Sequence, residues 1–149
     1  QIDQALVSYP GLPHRMEHVA EIDGVAYVND SKGTNTAASA PALAAFENIH
    51  WIVGGLAKEP GLGECEAELP HVKAAYTIGK AGPAFAELLE GRVPVTRSET
   101  LERAVRDAAA AAQAGDTVLL SPACASFDQF RDFEQRGEAF RTAVGELGA

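Results

Sequence analysis

Residues 27–46, YVNDSKGTNTAASAPALAAF, begin with the pattern of a buried strand and end with that of a helix. The stretch between them, NDSKGTN (residues 29–35), has only one side chain, that of Gly33, that can neither hydrogen-bond nor carry a charge. Ligands of open α/β sheets bind beyond the carboxyl ends of the strands. A polar run at a strand-to-helix junction therefore indicates a binding loop.

The chain before this stretch has the pattern of a β-hairpin. Two extended segments, MEHVAEI (residues 16–22) and VAYVND (residues 25–30), flank Asp23-Gly24. An Asp-Gly pair between alternating runs is a strong hairpin signal, because both residues tolerate the positive φ angles of a tight turn. Residues 1–13, QIDQALVSYPGLP, are interpreted as a short helix or linker that ends in a Pro/Gly-marked turn.

After Phe46 the pattern becomes an alternation of strands and helices. Residues as far as Leu69 contain one strand and then a short polar excursion. Gly115 is expected to end a long alanine-rich helix, and Asp132 with Gln135 resembles a capping box at the start of the last helix. We predict strands at residues 50–55, 74–79, 93–97 and 117–123, and helices at 83–91, 100–115 and over most of 133–148.

This alternation predicts an α/β fold, a Rossmann-like three-layer domain with a mainly parallel sheet and helices on both faces. The N-terminal hairpin would add an antiparallel edge to that sheet. A chain of 149 residues, of which 46% are hydrophobic, suits one domain with a substantial core.

Charge and composition argue against several classes of partner. The formal net charge of -9 opposes binding to nucleic acid, which requires a basic surface, and docking on an anionic membrane. The longest apolar runs fall far short of the ~20 residues that span a bilayer, and no signal peptide is visible. Cys65, Cys124 and the four histidines show no metal-ligand spacing, so no metal site is expected, and the two cysteines fit a reducing cytosol.

Four polar segments that follow predicted strands should meet at one edge of the sheet. They are NDSKGTN, GGLAKEPG, GKAG and SPACASFDQF. Any one lysine in them is more simply a surface residue, but Lys32, Lys58 and Lys80 are three of the chain's four lysines. A positive edge on an acidic protein suggests a small anionic ligand. The helix starts predicted near Thr34 and near Phe133 add N–H groups that favour anions.

Several known motifs are missing from the sequence. There is no G-x-x-x-x-G-K-[ST] and no G-x-G-x-x-G, so the phosphates of a nucleotide have no complete cradle within it. No Ser-His-Asp or Cys-His set with recognisable local context is present either. The residues alone thus predict a Rossmann-like domain that holds a small anion, and they leave open whether it is an enzyme or a binding module.

Four motifs occur in order along the chain: GLPHRME (11–17), NDSKGTN (29–35), GGLAK (54–58) and SPACASFDQFRDFEQRG (121–137). Taken together, they resemble the C-terminal domain of the Mur ligases. The sequence at Asp30 and at residues 121–133 favours the branch of that family that adds D-glutamate to UDP-N-acetylmuramoyl-L-alanine in peptidoglycan precursor synthesis. The resemblance implies that residues 1–10 are a linker or short helix from a preceding domain and that residues 11–149 are the C-terminal domain.

The resemblance implies a cytoplasmic, ATP-dependent ligase. The family reaction converts the L-alanine carboxyl of the precursor to an acyl phosphate, which the amine of D-glutamate then attacks. ATP and Mg²⁺ would be bound mainly by a central domain outside this sequence, so the isolated domain is expected to be inactive. The implied partners are D-glutamate, ATP and, through other domains, UDP-N-acetylmuramoyl-L-alanine; we expect a monomer.

The motif positions imply two groups of binding residues. For D-glutamate, Thr34 and Lys58 would hold one carboxylate, and Ser126 with the backbone of Phe133 would hold the other. For ATP, the implied residues are His14, Arg15, Asp30 and Lys32, the last facing either the phosphates or the incoming carboxylate. Ser121 is either a structural hydroxyl at a strand end or a ligand, and Ser126 is the favoured ligand.

Two alternatives remain open from the sequence. One is a stand-alone module that binds a small anion or a nucleotide, although Arg15 and Asp30 would then lack a partner domain. The other is a related ligase of the same family that adds a different amino acid, such as meso-diaminopimelate or L-lysine. An upstream G-K-[ST] loop would exclude the first alternative, and substrate competition would separate the second.

Overall fold

The centre of the molecule is one sheet of six strands, of which five are parallel. The computed structural model describes residues 14–57, 61–126 and 129–147. The order across the sheet is β1-β2-β6-β3-β4-β5, with β1 and β2 antiparallel and every other neighbouring pair parallel. The strands are β1 (Glu17–Ile22), β2 (Val25–Asn29), β3 (Ile49–Gly54), β4 (Val72–Ile78), β5 (Val95–Glu99) and β6 (Thr117–Leu120).

The hairpin of β1 and β2 turns at Asp23-Gly24, as the sequence predicts. Asp23 has a φ of 55° and Gly24 a φ of 80°. Two consecutive positive φ angles are what a two-residue turn needs to match the twist of its strands. Gly24 also lies close to Ala114, because a Cβ atom at this position would be 2.8 Å from the Ala114 Cβ.

Helices cover both faces of the sheet and complete three layers. They are α1 (Thr36–Ala45), a 3₁₀ helix (Gly63–His71), α2 (Gly82–Leu89), α3 (Leu101–Ala111) and α4 (Phe133–Leu147). Side chains alternate along the strands: Val28 and Trp51 pack with α1, the 3₁₀ helix and α2, whereas Tyr27 and Ile52 pack with α3 and α4. The predicted Rossmann-like α/β fold is confirmed. Within the described ranges, no helix is long and apolar enough to cross a membrane.

Several local predictions differ from the structure. The strands predicted at residues 93–97 and 117–123 are observed at Val95–Glu99 and Thr117–Leu120. The polar excursion contains the 3₁₀ helix, whose buried residues Cys65 and Leu69 belong to the same core cluster as α1; its glutamates and Pro70 mask any helical pattern. The prediction that Gly115 ends the alanine-rich helix is wrong, because α3 ends at Ala111 and Ala112 is extended. The N–H of Gln113 instead donates to Asp116, which begins the turn into β6 earlier.

A polar cluster lies at the amino end of the sheet, opposite the predicted binding loops. His50 is buried between Asp116, whose Oδ2 is 2.9 Å from Nε2, and Tyr76, whose hydroxyl is 2.8 Å from Nδ1. Lys73 Nζ donates to the same Asp116 oxygen at 3.0 Å. Burial works against ionisation of Asp116, but hydrogen bonds from the Gln113 N–H, His50 and Lys73 outweigh it and lower the pKa. The cluster ties β3, β4 and the start of β6 together.

We predict that Asp116→Ala lowers the free energy of unfolding by about 2–4 kcal/mol at pH 7, because it leaves buried donors without their acceptor. Urea denaturation measures this change. Glu90→Ala is the matched control, since Glu90 forms an exposed ion pair with Arg97 and should cost less than ~1 kcal/mol. Because the folded pKa of Asp116 is lowered, its contribution is present above the unfolded pKa and is lost on acidification through the folded pKa. Equal losses in the two variants would contradict this role.

Candidate functional site

The carboxyl ends of the parallel strands bring the predicted polar segments to one edge of the sheet. We call residues 30–35, after β2, loop A and residues 121–126, after β6, loop B. The N–H of Ala123 in loop B donates to the carbonyl of Gly33 in loop A at 2.9 Å. Leu56 and Ala125 form an isolated antiparallel bridge, which joins loop B to the segment after β3. The N–H of Ala81, after β4, donates to the carbonyl of Gly55, after β3, at 2.8 Å, so the described parts of all four predicted segments lie together.

Asp30 is the buried centre of this edge. Its side chain accepts a hydrogen bond from Ser121 Oγ at 2.6 Å and another from the Met16 N–H at 3.0 Å. Burial raises the pKa of Asp30 to about 6, although those two hydrogen bonds and the positive charges of Arg15 and Arg136 oppose the shift. The carboxyl group therefore joins three segments and titrates closer to neutrality than an exposed aspartate does.

Gly33 allows loop A to close tightly around Asp30. A Cβ atom at this position would lie 2.6 Å from Ser39 Oγ and 2.9 Å from both Asp30 Oδ2 and Ser121 Oγ. Ser39 in α1 also accepts the N–H of Ala123 at 3.0 Å. The missing side chain of Gly33 thus leaves room for contacts among loop A, loop B and α1.

The segment before β1 is held against loop A in an unusual backbone conformation. His14 and Met16 have φ angles of 64° and 46°, in the left-handed region that non-glycine residues rarely occupy. The carbonyl of His14 accepts the Lys32 N–H at 2.9 Å, and the N–H of Met16 donates to Asp30. Arg15 lies between these two anchored residues, and its side chain is exposed. Its exposure leaves the guanidinium group accessible to a ligand.

Arg136 connects loop A, loop B and α4. Its side chain is buried and donates from Nε to Ser31 Oγ at 2.9 Å, from Nη2 to the Ser31 carbonyl at 2.6 Å and from Nη1 to the Cys124 carbonyl at 2.9 Å. Ser31 Oγ in turn donates to the Phe133 carbonyl at 2.6 Å. A planar guanidinium group with several fixed donors is suited to holding backbone carbonyls of different loops in one arrangement.

Phe133 lies where the sequence predicts it, at the first residue of α4. The Oδ1 of Asp132 accepts the Gln135 N–H at 2.8 Å, and Gln135 Oε1 accepts the Arg131 N–H at 2.6 Å. The resemblance to a capping box is thus partly correct, because the return bond goes to Arg131 instead of Asp132. Lys32 Nζ is 5.9 Å from the centroid of the Phe133 ring, so the predicted lysine lies beside the start of α4.

The remaining predicted residues that the structure describes lie along the same edge. Thr34 is half-buried between Gly33 and Asn35, whose side chain caps α1 by accepting the Ala38 N–H at 2.7 Å. Ser126 is buried at the end of loop B, and its carbonyl accepts the N–H of Phe130 at 2.9 Å. Lys58 lies outside the described residues. Lys80 is exposed directly after β4.

Several residues that organise this edge were not predicted as functional. Ser121 donates to Asp30, which favours the structural interpretation of its hydroxyl. Ser39 and Arg136 have no local signal in the sequence, because their partners lie far away along the chain. The glycine after Arg136 is the one hint, since a glycine inside a helix indicates close packing.

The part of the chain that the structure describes contains an open cavity but no candidate metal site. No group of three or more His, Cys, Asp or Glu side chains there is arranged to hold a metal ion. An open cavity of about 520 Å³ lies between the start of α3 and the middle of α4. None of the predicted site residues lines it. It is lined by Thr100, Leu101, Glu102, Gln129, Phe130, Ala139, Thr142 and Ala143.

Sequence comparisons relate this chain to one family of proteins. The profile of the family described as "Mur ligase, glutamate ligase domain" matches residues 14–124. The UDP-N-acetylmuramoylalanine--D-glutamate ligase of Novosphingobium aromaticivorans is 65% identical over 143 residues, which cover 96% of this chain and 32% of that protein. The enzyme of the same name from Zymomonas mobilis is 55% identical over 98% of this chain and 33% of its own length. The chain thus spans about a third of these relatives.

Solved structures show the same fold at low sequence identity. The UDP-N-acetylmuramate-alanine ligase of Thermotoga maritima superposes with a TM-score of 0.60 and 12% identity, over 92% of this chain and 31% of that one. A bifunctional folylpolyglutamate synthase/dihydrofolate synthase from Yersinia pestis, complexed with AMPPNP and a Mn ion, gives 0.59 and 20%, over 93% and 32%. With the family match over most of the chain, these findings lead to one conclusion: the chain belongs to the Mur ligase family and corresponds to its glutamate ligase domain.

Proposed function

We propose that this chain is the C-terminal domain of an ATP-dependent ligase that adds D-glutamate to UDP-N-acetylmuramoyl-L-alanine. The observation that carries the proposal is the 65% identity to a ligase of that name over nearly the whole chain. Residues 11–149 would form this domain, and residues 1–10 would be a linker from the preceding one. The reaction would take place in the cytoplasm as a step of peptidoglycan precursor synthesis, with the protein acting as a monomer.

On the nucleotide side, we propose that His14, Arg15, Asp30 and Lys32 contact ATP. The exposed guanidinium group of Arg15 and the ammonium group of Lys32 suit phosphate oxygens, because both are cationic donors. Asp30 is nearly fully buried and accepts the Met16 N–H, so it also holds the Arg15 segment in place. ATP and Mg²⁺, bound mainly by a central domain, would supply the activation of the L-alanine carboxyl as an acyl phosphate.

On the amino-acid side, we propose that Thr34 and Lys58 hold one carboxylate of D-glutamate, and that Ser126 and the Phe133 N–H hold the other. A dicarboxylic amino acid needs two separate anion sites if its amine is to be fixed for attack. The contact between Gly33 and Ala123 keeps loop A and loop B side by side, which supports such a pair of sites. The first residues of a helix also have N–H groups without an intrahelical acceptor, which suits the Phe133 position.

These groups would accelerate the reaction by orientation. A nucleophile held in the correct geometry gains up to ~7–11 kcal/mol over a freely diffusing one in well-oriented systems. The donors of loops A and B would hold D-glutamate by its two carboxylates and leave its amine directed at the activated carboxyl. The buried bonds of Arg136 would keep these donors in place without moving during the reaction.

We predict that Thr34→Val and Lys58→Met in the full-length ligase raise the KM for D-glutamate by about 10- to 100-fold, because each removes a donor to a charged group. Steady-state kinetics with varied D-glutamate and ATP measure this change. Thr96→Val is the matched control, since Thr96 is an exposed threonine in β5, away from the site. An unchanged KM for D-glutamate together with a raised KM for ATP would show that the assignment is wrong.

We predict that the isolated chain has no ligase turnover and binds D-glutamate only weakly, with a Kd of ~1 mM or more (about -4 kcal/mol or weaker). The cleft that would enclose the amino acid is expected to take one wall from the other domains. Isothermal titration calorimetry on this chain measures the affinity. Micromolar binding of D-glutamate would contradict the proposed division of the site between domains.

Burial disfavours the ionised form of Asp30, so the free energy of unfolding of the domain should depend on pH. The folded pKa of about 6 lies above the value of 3.8 that is usual for an aspartate, so the folded state binds more protons between these values. The free energy of unfolding should therefore fall as pH rises from about 4 to 6, by up to about 3 kcal/mol from this group. Urea denaturation of the wild type and of Asp30→Asn tests it: the decline should be smaller in Asp30→Asn, and parallel curves would contradict it.

A further inference from the structure

A fully buried carboxylate lies beneath the proposed nucleotide-contacting segment. The side chain of Glu17, in β1, has no exposed surface. Its Oε1 accepts hydrogen bonds from Asn29 Nδ2 at 2.9 Å and from the His14 N–H at 3.3 Å. Arg141, in α4, donates from Nη2 to Oε2 at 2.5 Å and from Nε to Oε1 at 3.2 Å. A buried carboxylate requires such a paired cation, because desolvation of an unpaired charge is costly.

These hydrogen bonds help to hold the backbone of His14 and Met16 in its left-handed conformation. The N–H of His14 points to Glu17 and the N–H of Met16 points to Asp30, so two carboxylates fix the backbone on both sides of Arg15. Left-handed conformations of such residues cost of order 1 kcal/mol or more and persist only when the surroundings hold them. The Glu17 carboxylate is one of those holders, and Arg141 fixes its position.

The ring of His14 is also held against α4. Its Nδ1 is 2.8 Å from Asn29 Nδ2, and the Oδ1 of the same amide accepts the Ser31 N–H at 3.0 Å. Nδ1 is therefore the acceptor in this contact. A Cβ atom at Gly137 would lie 2.1 Å from Nδ1, so the helix approaches the ring at a position that has no side chain. Arg141 is one turn further along the same helix.

We propose that Arg141 is a positioning residue for the nucleotide-contacting segment, acting through Glu17 to hold His14–Met16 and thereby to direct Arg15. The inference rests on the proposed function for the ligand involved. The α4 helix then serves both ligands: its first residue, Phe133, lies at the amino-acid side, and Arg141 supports the nucleotide side. Arg141 also pairs with Glu138 at 2.6 Å, which keeps its guanidinium group on this face of the helix.

The test is Arg141→Met in the full-length ligase, because methionine keeps the apolar stem of the side chain and removes its charge. We expect the KM for ATP to rise about tenfold, since a misplaced contact residue weakens binding, while the KM for D-glutamate changes less than ~2-fold. Arg141→Lys should give an intermediate KM for ATP, because lysine restores the charge and lacks the two-pronged geometry. Arg103→Met, which removes an exposed arginine from α3, is the control and should change neither constant.

A second pair of variants changes the packing of α4 against the His14–Met16 segment. Gly137→Ala should push the His14 ring away and also raise the KM for ATP selectively, by about 5- to 10-fold. Gly145→Ala is its matched control, since a Cβ atom at this position of α4 meets nothing within 4 Å. If Arg141→Met fails to fold, Arg141→Lys and Gly137→Ala carry the test. Equal changes in both KM values, or no change in either, would overturn the inference.

Amide hydrogen exchange tests the role of Arg141 independently of the proposed function. In the isolated chain, Arg141→Met should speed exchange at the His14 and Met16 amides by about tenfold relative to the wild type, and leave exchange in β3 and β4 unchanged. Unchanged exchange at the two amides would overturn the role of Arg141 whatever the reaction. A full-length protein that turns over no D-glutamate would instead overturn the proposed function alone.

Discussion

The guanidinium group of Arg136 is the contact on which the arrangement of this edge depends. Three of its donors hold the hydroxyl and carbonyl of Ser31 and the carbonyl of Cys124, so one buried cation fixes loop A to loop B. Loops that follow parallel strands are close to each other by topology, but topology alone sets no register between their side chains. The rigid geometry of the guanidinium fork supplies that register. The positive charge of Arg136 also acts on nearby Asp30 and opposes the rise that burial causes in the pKa of that carboxyl group.

Three carboxylates of this acidic chain are buried, and each has its own hydrogen-bond or ion-pair partners. Glu17 pairs with Arg141, Asp116 with His50 and Lys73, and Asp30 with a hydroxyl and an N–H group. Asp30 differs from the other two because no cation forms a salt bridge with it among the described residues. Burial raises the pKa of Asp30, and its hydrogen bonds and the more distant charges of Arg15 and Arg136 offset that rise only in part. A group in this state gains most from a ligand that brings hydrogen-bond donors or positive charge.

The fold and the edge that carries the site could be predicted from local patterns, whereas the supports of the site could not. Asp23-Gly24 specifies its turn by backbone conformation alone, and NDSKGTN is recognisable because its polar residues are contiguous. Arg136 and Glu17 look like ordinary charged residues in the sequence, since their partners come from elements brought together only by folding. The 3₁₀ helix was missed for a related reason: Cys65 and Leu69 gain their burial from α1, and surrounding glutamates dilute the apolar signal.

The position of β6 between β2 and β3 has a consequence for how the chain reaches its native state. Ala26 pairs with Thr117, about 90 positions later, so the hairpin of β1 and β2 joins the main sheet only after β6 has been synthesised. Until then β2 presents an unsatisfied edge, which is a template for pairing with other chains. The sheet therefore cannot be completed before β6 is available. Nascent or truncated forms that stop short of residue 117 should be the ones that chaperones retain.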